Sequence, residues 1–329
     1  MSGRARIVGV QGLVSVVALA AVAWWASRQP LPHLPDAAAA LPRLAAALGL
    51  YALATALRSE RWLALLRHGG HRAGRADAYA LTTVGYMGNN ALPARAGDVL
   101  KAVLTAPRVG APRAPMFGTL VAERLLDAVA LVVLFGALVA TLRLPLGVPG
   151  WVLFAVGASL VAAAAAAARL GRGTAAGRRA RAYAVALLAP TRRLWSATGA
   201  ALLGVSLALW LLEGSVYAVL GAAAGVHLSL FDGLYIMALA NLVALVPAAP
   251  GYIGTFDAAV VLGVRLAHGG AHAATLGYVA LVRFVLFVPI TLVGLAALVS
   301  RYGGLGALRA TLAAPAPAPV TAAPPAALR

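Results

Sequence analysis

Continuous apolar runs of about 20 residues, each enough to cross a hydrocarbon core of about 30 Å, recur along the whole chain instead of once near its start. Leu, Ala and Val fill these runs without the polar alternation that a transmembrane barrel strand of about 10 residues requires. Only 11% of the 329 residues are charged, whereas a soluble domain uses roughly a quarter of its residues that way to cover its surface. An all-α integral membrane protein is specified, and a water-soluble globule is excluded.

The spans are expected at Ile7–Ala26, about 41–66, Ala114–Leu142, about 148–168, about 194–224 and Ala271–Ser300, six crossings in all. The first follows Arg4 and Arg6 as a signal peptide would, but more spans follow and no clear small-x-small cleavage site precedes Arg28, so it reads as a retained helix. Two further apolar stretches are broken in the middle. Residues 79–106 are interrupted by Asn89, Asn90, Pro93, Arg95, Gly97 and Asp98, and residues 233–266 by Pro247, Pro250, Gly251 and Gly254. Free backbone groups at such breaks cannot face lipid, so each stretch reads as a re-entrant hairpin lining a protein-walled cavity. Residues 1–310 form the membrane domain, its halves at about 41–168 and 194–300, and the Pro/Ala-rich tail 311–329 reads as disordered.

A net charge of +18 would suggest nucleic acid in a soluble protein. Here the charge follows the loops. Most of the 27 Lys and Arg, with Arg58, Arg61, Arg95 and Lys101 counted among them, fall on one side if both termini are cytoplasmic. Arg28, Arg43, Arg143 and Arg265 fall on the other, so topology and not nucleic acid explains the charge. The segment 169–193 carries seven arginines and no acid, and is expected to rest on anionic headgroups.

The broken stretches resemble each other. Leu92–Gly97 lines up with Val246–Gly251 at an offset of 154 residues, with Asn89 and Asn90, or Asn241, shortly upstream. Each is followed by a long helix holding an arginine, Arg124 or Arg283, about 15 and 18 Å along its axis and hence near the bilayer centre. With the first hairpin entering from the cytoplasm and the second from outside, the pattern is an inverted repeat, with Pro93 and Pro247–Gly251 as opposed gates.

An ionisable residue at the bilayer centre costs at least about 2.5–3.5 kcal/mol, which makes Glu123, Arg124, Asp127, Glu213, Asp257 and Arg283 functional candidates. Glu123 and Asp127 share a helix face at i,i+4, with Arg124 three residues before Asp127. An ion-pair network tying helices together and a site for an anionic guest both fit that cluster, and Arg283 is expected to lack a partner. Arg95, Asp98 and Lys101 drift slowly round one helix, so all three can face a groove and offer donors to a phosphate, or else mark a cytoplasmic surface helix. Asn89, Asn90 and Asn241 suit the free backbone groups of hairpin tips. His268 and His272 stand four apart, but Gly269 and Gly270 argue against a helix between them, so no metal site is expected. There are no cysteines, and no nucleotide-binding or hydrolase motif occurs, so neither a cofactor nor catalysis is expected.

Three motifs carry a family resemblance: Asn90-Ala91-Leu92-Pro93-Ala94-Arg95-Ala96-Gly97-Asp98 with Lys101; Glu123-Arg124 with Asp127; and Pro247-Ala248-Ala249-Pro250-Gly251-Tyr252-Ile253-Gly254 with Asp257. In order and spacing the chain resembles the lysylphosphatidylglycerol synthase transmembrane-region family, or flippase-like domain proteins, over nearly its whole length. The family usually shows Glu at 98 and 257, Arg at 101 and Gly at 252; the shorter acids and the Tyr252 ring reshape the expected cavity. The resemblance implies a stand-alone membrane domain without the aminoacyl-transfer domain of the name-giving enzymes, and so lipid translocation in place of synthesis.

The leading expectation is a flippase moving a phospholipid or polyprenyl-phosphate-type lipid across a bacterial inner membrane. A non-transporting subunit partnering a glycosyltransferase or lipid synthase, and an intramembrane lipid head-group enzyme, are the alternatives.

Overall fold

The computed structural model describes residues 37–92, 95–142, 185–243, 250–268 and 272–304. The expected helices at 7–26 and 148–168, Pro93, Pro247, most of the 169–193 segment and the tail lie outside these residues.

All the regular structure described is helical. The helices are α1 (Ala37–His68), α2 (Arg75–Ala91), α3 (Ala96–Arg108), α4 (Arg113–Leu142), α5 (Ala197–Ala223), α6 (Leu230–Val243), α7 (Thr255–His268) and α8 (His272–Tyr302). A 3₁₀ turn, Pro250–Tyr252, precedes α7, and residues 185–192 are also helical. Among the described residues, Ala40–His68, Ala197–Ala223 and Ala274–Tyr302 are long and apolar enough to cross a membrane. α4 is equally long, with Glu123, Arg124 and Asp127 near its middle.

The polarity of α4 is inside-out. Val121, Leu125, Val129 and Val133 point outward, whereas Glu123 and Asp127 are buried. α8 likewise exposes Phe284, Val288, Leu292 and Val299. Such faces would aggregate in water and are at rest in lipid, where no driving force exists to hide them.

Each interrupted stretch is a pair of short helices: α2 and α3 pack together, as do α6 and α7. α2 ends at the extended residue Leu92, and α6 ends at Val243. The α2–α3 crossing is close because glycines meet there. A Cβ on Gly97 would stand 2.0 Å from the Gly85 carbonyl oxygen and 2.3 Å from the Asn89 nitrogen. Gly97 is therefore a packing residue between two backbones.

The helix order long, short, short, long occurs twice, as α1–α4 and as α5–α8. α1 packs on α5 between the halves, and the contact of α2 with α8 is matched by that of α6 with α4. Helices α7 and α8 start 159 residues after α3 and α4, at Thr255 and His272 against Ala96 and Arg113. This register differs from the offset of 154 read from the proline motifs, because short motif matches ignore where helices begin.

Candidate functional site

The buried charges assemble where the two breaks meet. On α1, Arg58 and Arg61 are 3% and 1% exposed. The sequence counts both among the cytoplasmic-side charges; they lie instead buried within α1, which runs to His68, and Trp62, Leu63, Leu65 and Leu66 carry its apolar face past them. They therefore contribute nothing to the charge bias of the loops, and neither does Lys101, 4% exposed.

Arg58 donates to Glu213 on α5, and its guanidinium lies 5.2 Å from the Trp210 ring and 5.7 Å from that of Tyr86. Asn241 on α6 donates to the other Glu213 oxygen at 3.3 Å and to the Met237 carbonyl at 3.0 Å, which is where its amide goes. Arg61 donates to Asp127 at 2.6 Å, to Ser206 Oγ at 2.7 Å and to Glu123 at 3.4 Å. Lys101 donates to the second Glu123 oxygen at 3.0 Å with its Nζ 4.0 Å from the Trp62 ring centre. Lys101 thus pairs with a carboxylate of α4, because a lysine in an apolar interior needs a counter-charge.

Arg124 bridges two elements, donating to Asp127 at 3.3 Å and to Asp98 at 3.0 Å. Asn89 clasps Asp98 from the other side: its amide donates to the carboxylate at 3.0 Å, and the Asp98 N–H donates back to its carbonyl at 3.1 Å. The start of α3 is thereby tied to the end of α2. Asn90 reaches the other half, donating to Thr291 Oγ1 at 2.9 Å on α8.

The second half repeats this latch. Asp257 and Arg283 stand 159 residues after Asp98 and Arg124, and both pairs are separated by 26 residues. Arg283 grips Asp257 with two donors, at 2.5 and 2.8 Å, and Asp257 accepts the Gly254 N–H at 3.0 Å. Remaining donors of Arg283 go to the carbonyls of Gly251 at 3.2 Å and Tyr252 at 3.4 Å, and its face lies against Phe256 and Phe287. The expectation of an unpartnered Arg283 is corrected: α7 supplies the acid one helix earlier. Gly251 and Gly254, with φ of 63° and 87°, take left-handed conformations that turn the chain into α7 after Pro250.

Between these latches is a cavity of about 100 Å³, room for about three waters. Arg58, Asn89, Asn90, Arg95, Arg124, Asp127, Glu213 and Asn241 supply its polar wall. Tyr51, Tyr86, Trp210, Tyr252, Phe256 and Phe287 supply much of the rest. Arg283, Asp257, Glu123 and Lys101 stand behind the wall and hold its elements in place. Arg61, Arg95, Lys101 and Arg124 form one connected cluster with Asp98, Glu123 and Asp127, one more cation than carboxylate, and Arg58–Glu213 is a separate pair. Arg95 is the loosely held one, 3.9 Å from Asp98. Nitrogens Arg58 Nη1, Arg95 Nε and Arg124 Nε are buried without a hydrogen-bond partner, which in a dry interior calls for an acceptor.

Arg58, Arg61, Ser206, Tyr86 and Trp210 escaped sequence reading. One signal was present: within the apolar runs four carboxylates, Glu123, Asp127, Glu213 and Asp257, outnumber Arg124 and Arg283, so further cations had to come from helix segments that look like interfacial loops. Among the described residues no group of three or more metal-ligating side chains occurs.

No curated protein and no solved structure matches the chain. The family model described as the lysylphosphatidylglycerol synthase TM region matches residues 12–294, which spans both halves and the whole polar network, and the chain belongs to that family.

Proposed function

We propose that this membrane protein moves an anionic, phosphate-bearing lipid, a phospholipid or a polyprenyl-phosphate-linked one, between the leaflets of a bacterial inner membrane. The carrying observation is the cavity between the two helix breaks, which Arg58, Arg95 and Arg124 line together beside two carboxylates, Asp127 and Glu213. A phosphate accepts charge-assisted, two-point hydrogen bonds from guanidinium groups, and an anion about 4 Å from an arginine gains about 4 kcal/mol at an effective dielectric of 20. A cavity of this size has room for the phosphate group, so the acyl chains stay in lipid.

In this reading α2–α3 and α6–α7 are re-entrant hairpins entering from opposite faces, six helices cross, and both termini are cytoplasmic. The twice-repeated helix order and the matched Asp98–Arg124 and Asp257–Arg283 latches support the repeat. The arginines of 169–193 rest on cytoplasmic headgroups. Transport fits better than head-group chemistry because Asp127 and Glu213, the carboxylates on the cavity wall, are each held by a cation. Movement runs downhill or is coupled to an ion.

The test is leaflet exchange of fluorescent phosphatidylglycerol in liposomes containing the purified protein. Exchange faster than in empty liposomes, reduced in Arg95→Gln and in Arg124→Lys, whose ammonium lacks the planar fork, supports the proposal. Exchange at the empty-liposome rate across several anionic lipids, or full activity in both variants, refutes it.

A further inference from the structure

Among the described residues, the two that hold a left-handed backbone without being glycine are Arg95 and Tyr252, each with φ of 54°. A side chain is sterically penalised there, and a bulky one persists only where its surroundings hold it. The two belong to different halves of the chain, and they touch. The Arg95 guanidinium lies 5.7 Å from the centre of the Tyr252 ring, and both residues line the central cavity.

Each is held from behind. Arg283 donates to the carbonyls of Gly251 and Tyr252 at 3.2 and 3.4 Å, which fixes the turn that carries the ring. Arg95 precedes the first residue of α3, where Asp98, its nearest acid, is already occupied by Arg124 and Asn89 at 3.0 Å each. Its Nε is buried with no hydrogen-bond partner. A ring face is a weak partner for a guanidinium compared with an oxyanion that accepts two parallel hydrogen bonds.

We infer that the Arg95–Tyr252 stack is the closed plug of the central cavity, and that a phosphate-bearing headgroup binds by taking the place of the ring on Arg95. This rests on the anionic-lipid reading above and adds to it the residue that gates entry. Gly251 and Gly254 flank Tyr252 with positive φ and give the ring a hinge. Because the stack joins one break to the other, displacing it loosens the contact between the halves at the moment the head arrives. Gly at position 252 leaves the site open; Tyr makes the headgroup compete for it.

The experiment is calorimetric titration of the full-length protein in detergent micelles with dioctanoyl phosphatidic acid, dioctanoylglycerol and inorganic phosphate. Wild type binds the phosphatidic acid and not the diacylglycerol. Tyr252→Gly, which suits the backbone it replaces, binds about two- to thirtyfold more tightly, the range of a cation–π contact released. Tyr252→Phe keeps the ring and matches wild type, and Arg95→Gln loses the binding. Unchanged or weaker binding by Tyr252→Gly with the Arg95 dependence intact, or Tyr252→Phe behaving like Tyr252→Gly, overturns the plug and leaves the anion site standing. No binding of phosphatidic acid by any variant overturns both. Inorganic phosphate binding as tightly as the lipid assigns the place on Arg95 to the free ion and overturns the headgroup.

Discussion

Removing Arg58 and removing Arg61 should have unequal costs, although the two guanidinium groups sit one turn apart on α1 and both are buried. Among the described residues Glu213 has one cation, Arg58, and otherwise accepts from the Asn241 amide. In Arg58→Met this carboxylate, 7% exposed, is left buried without its ion-pair partner, and orphaning one member of a buried pair costs about 3–5 kcal/mol. Arg61→Met removes more hydrogen bonds, but its acids keep other cations: Asp127 retains Arg124 at 3.3 Å and Glu123 retains Lys101 at 3.0 Å. That variant should lose about 1–3 kcal/mol, the worth of charge-assisted hydrogen bonds without an orphaned charge. Arg58→Met/Glu213→Gln removes both charges and keeps an acceptor for Asn241, so it should recover most of the loss, with a coupling of about 2–3 kcal/mol in the double-mutant cycle. Equilibrium unfolding of purified protein in mixed micelles, followed by far-UV circular dichroism, measures all four corners. A loss in Arg58→Met no larger than in Arg61→Met, or a double variant as unstable as the sum of the singles, refutes the reasoning.

Gly97→Ala should destabilise by about 1–3 kcal/mol or prevent folding, because its Cβ meets the backbone of Gly85 and Asn89 at 2.0 and 2.3 Å; Gly136→Ala, with open space around it, should be neutral in the same unfolding assay. His71, in the loop between α1 and α2, is held below the usual imidazole range by burial and by the nearby Arg193 guanidinium. The unfolded chain therefore binds more protons at this site, so its contribution to stability falls as pH drops through about 6.5 and is full above it. An NMR titration of the His71 ring should show a depressed midpoint that rises in Arg193→Gln; an unshifted midpoint in the wild type counts against the burial.

Much of the architecture was legible along the chain because its signals are local. Apolar run length sets which segments suit lipid, and the Asn, Pro and Gly clusters marked both interruptions to within a few residues of where α2 and α6 end and α3 and α7 begin. Glu123, Arg124 and Asp127 were candidates because charge inside an apolar run stands out without any tertiary information. Pairing was decided elsewhere. Arg58 meets Glu213 across 155 residues and Arg61 meets Ser206 across 145, contacts that exist only because α1 packs on α5. Until that packing is known, an arginine beside Ser59 and Glu60 reads the same whether it snorkels to a headgroup or neutralises a buried acid. The same holds for the meeting of Arg95 with Tyr252. Left-handed backbone at a non-glycine residue has no sequence signature, since it is imposed by the surrounding fold against the preference of the residue itself.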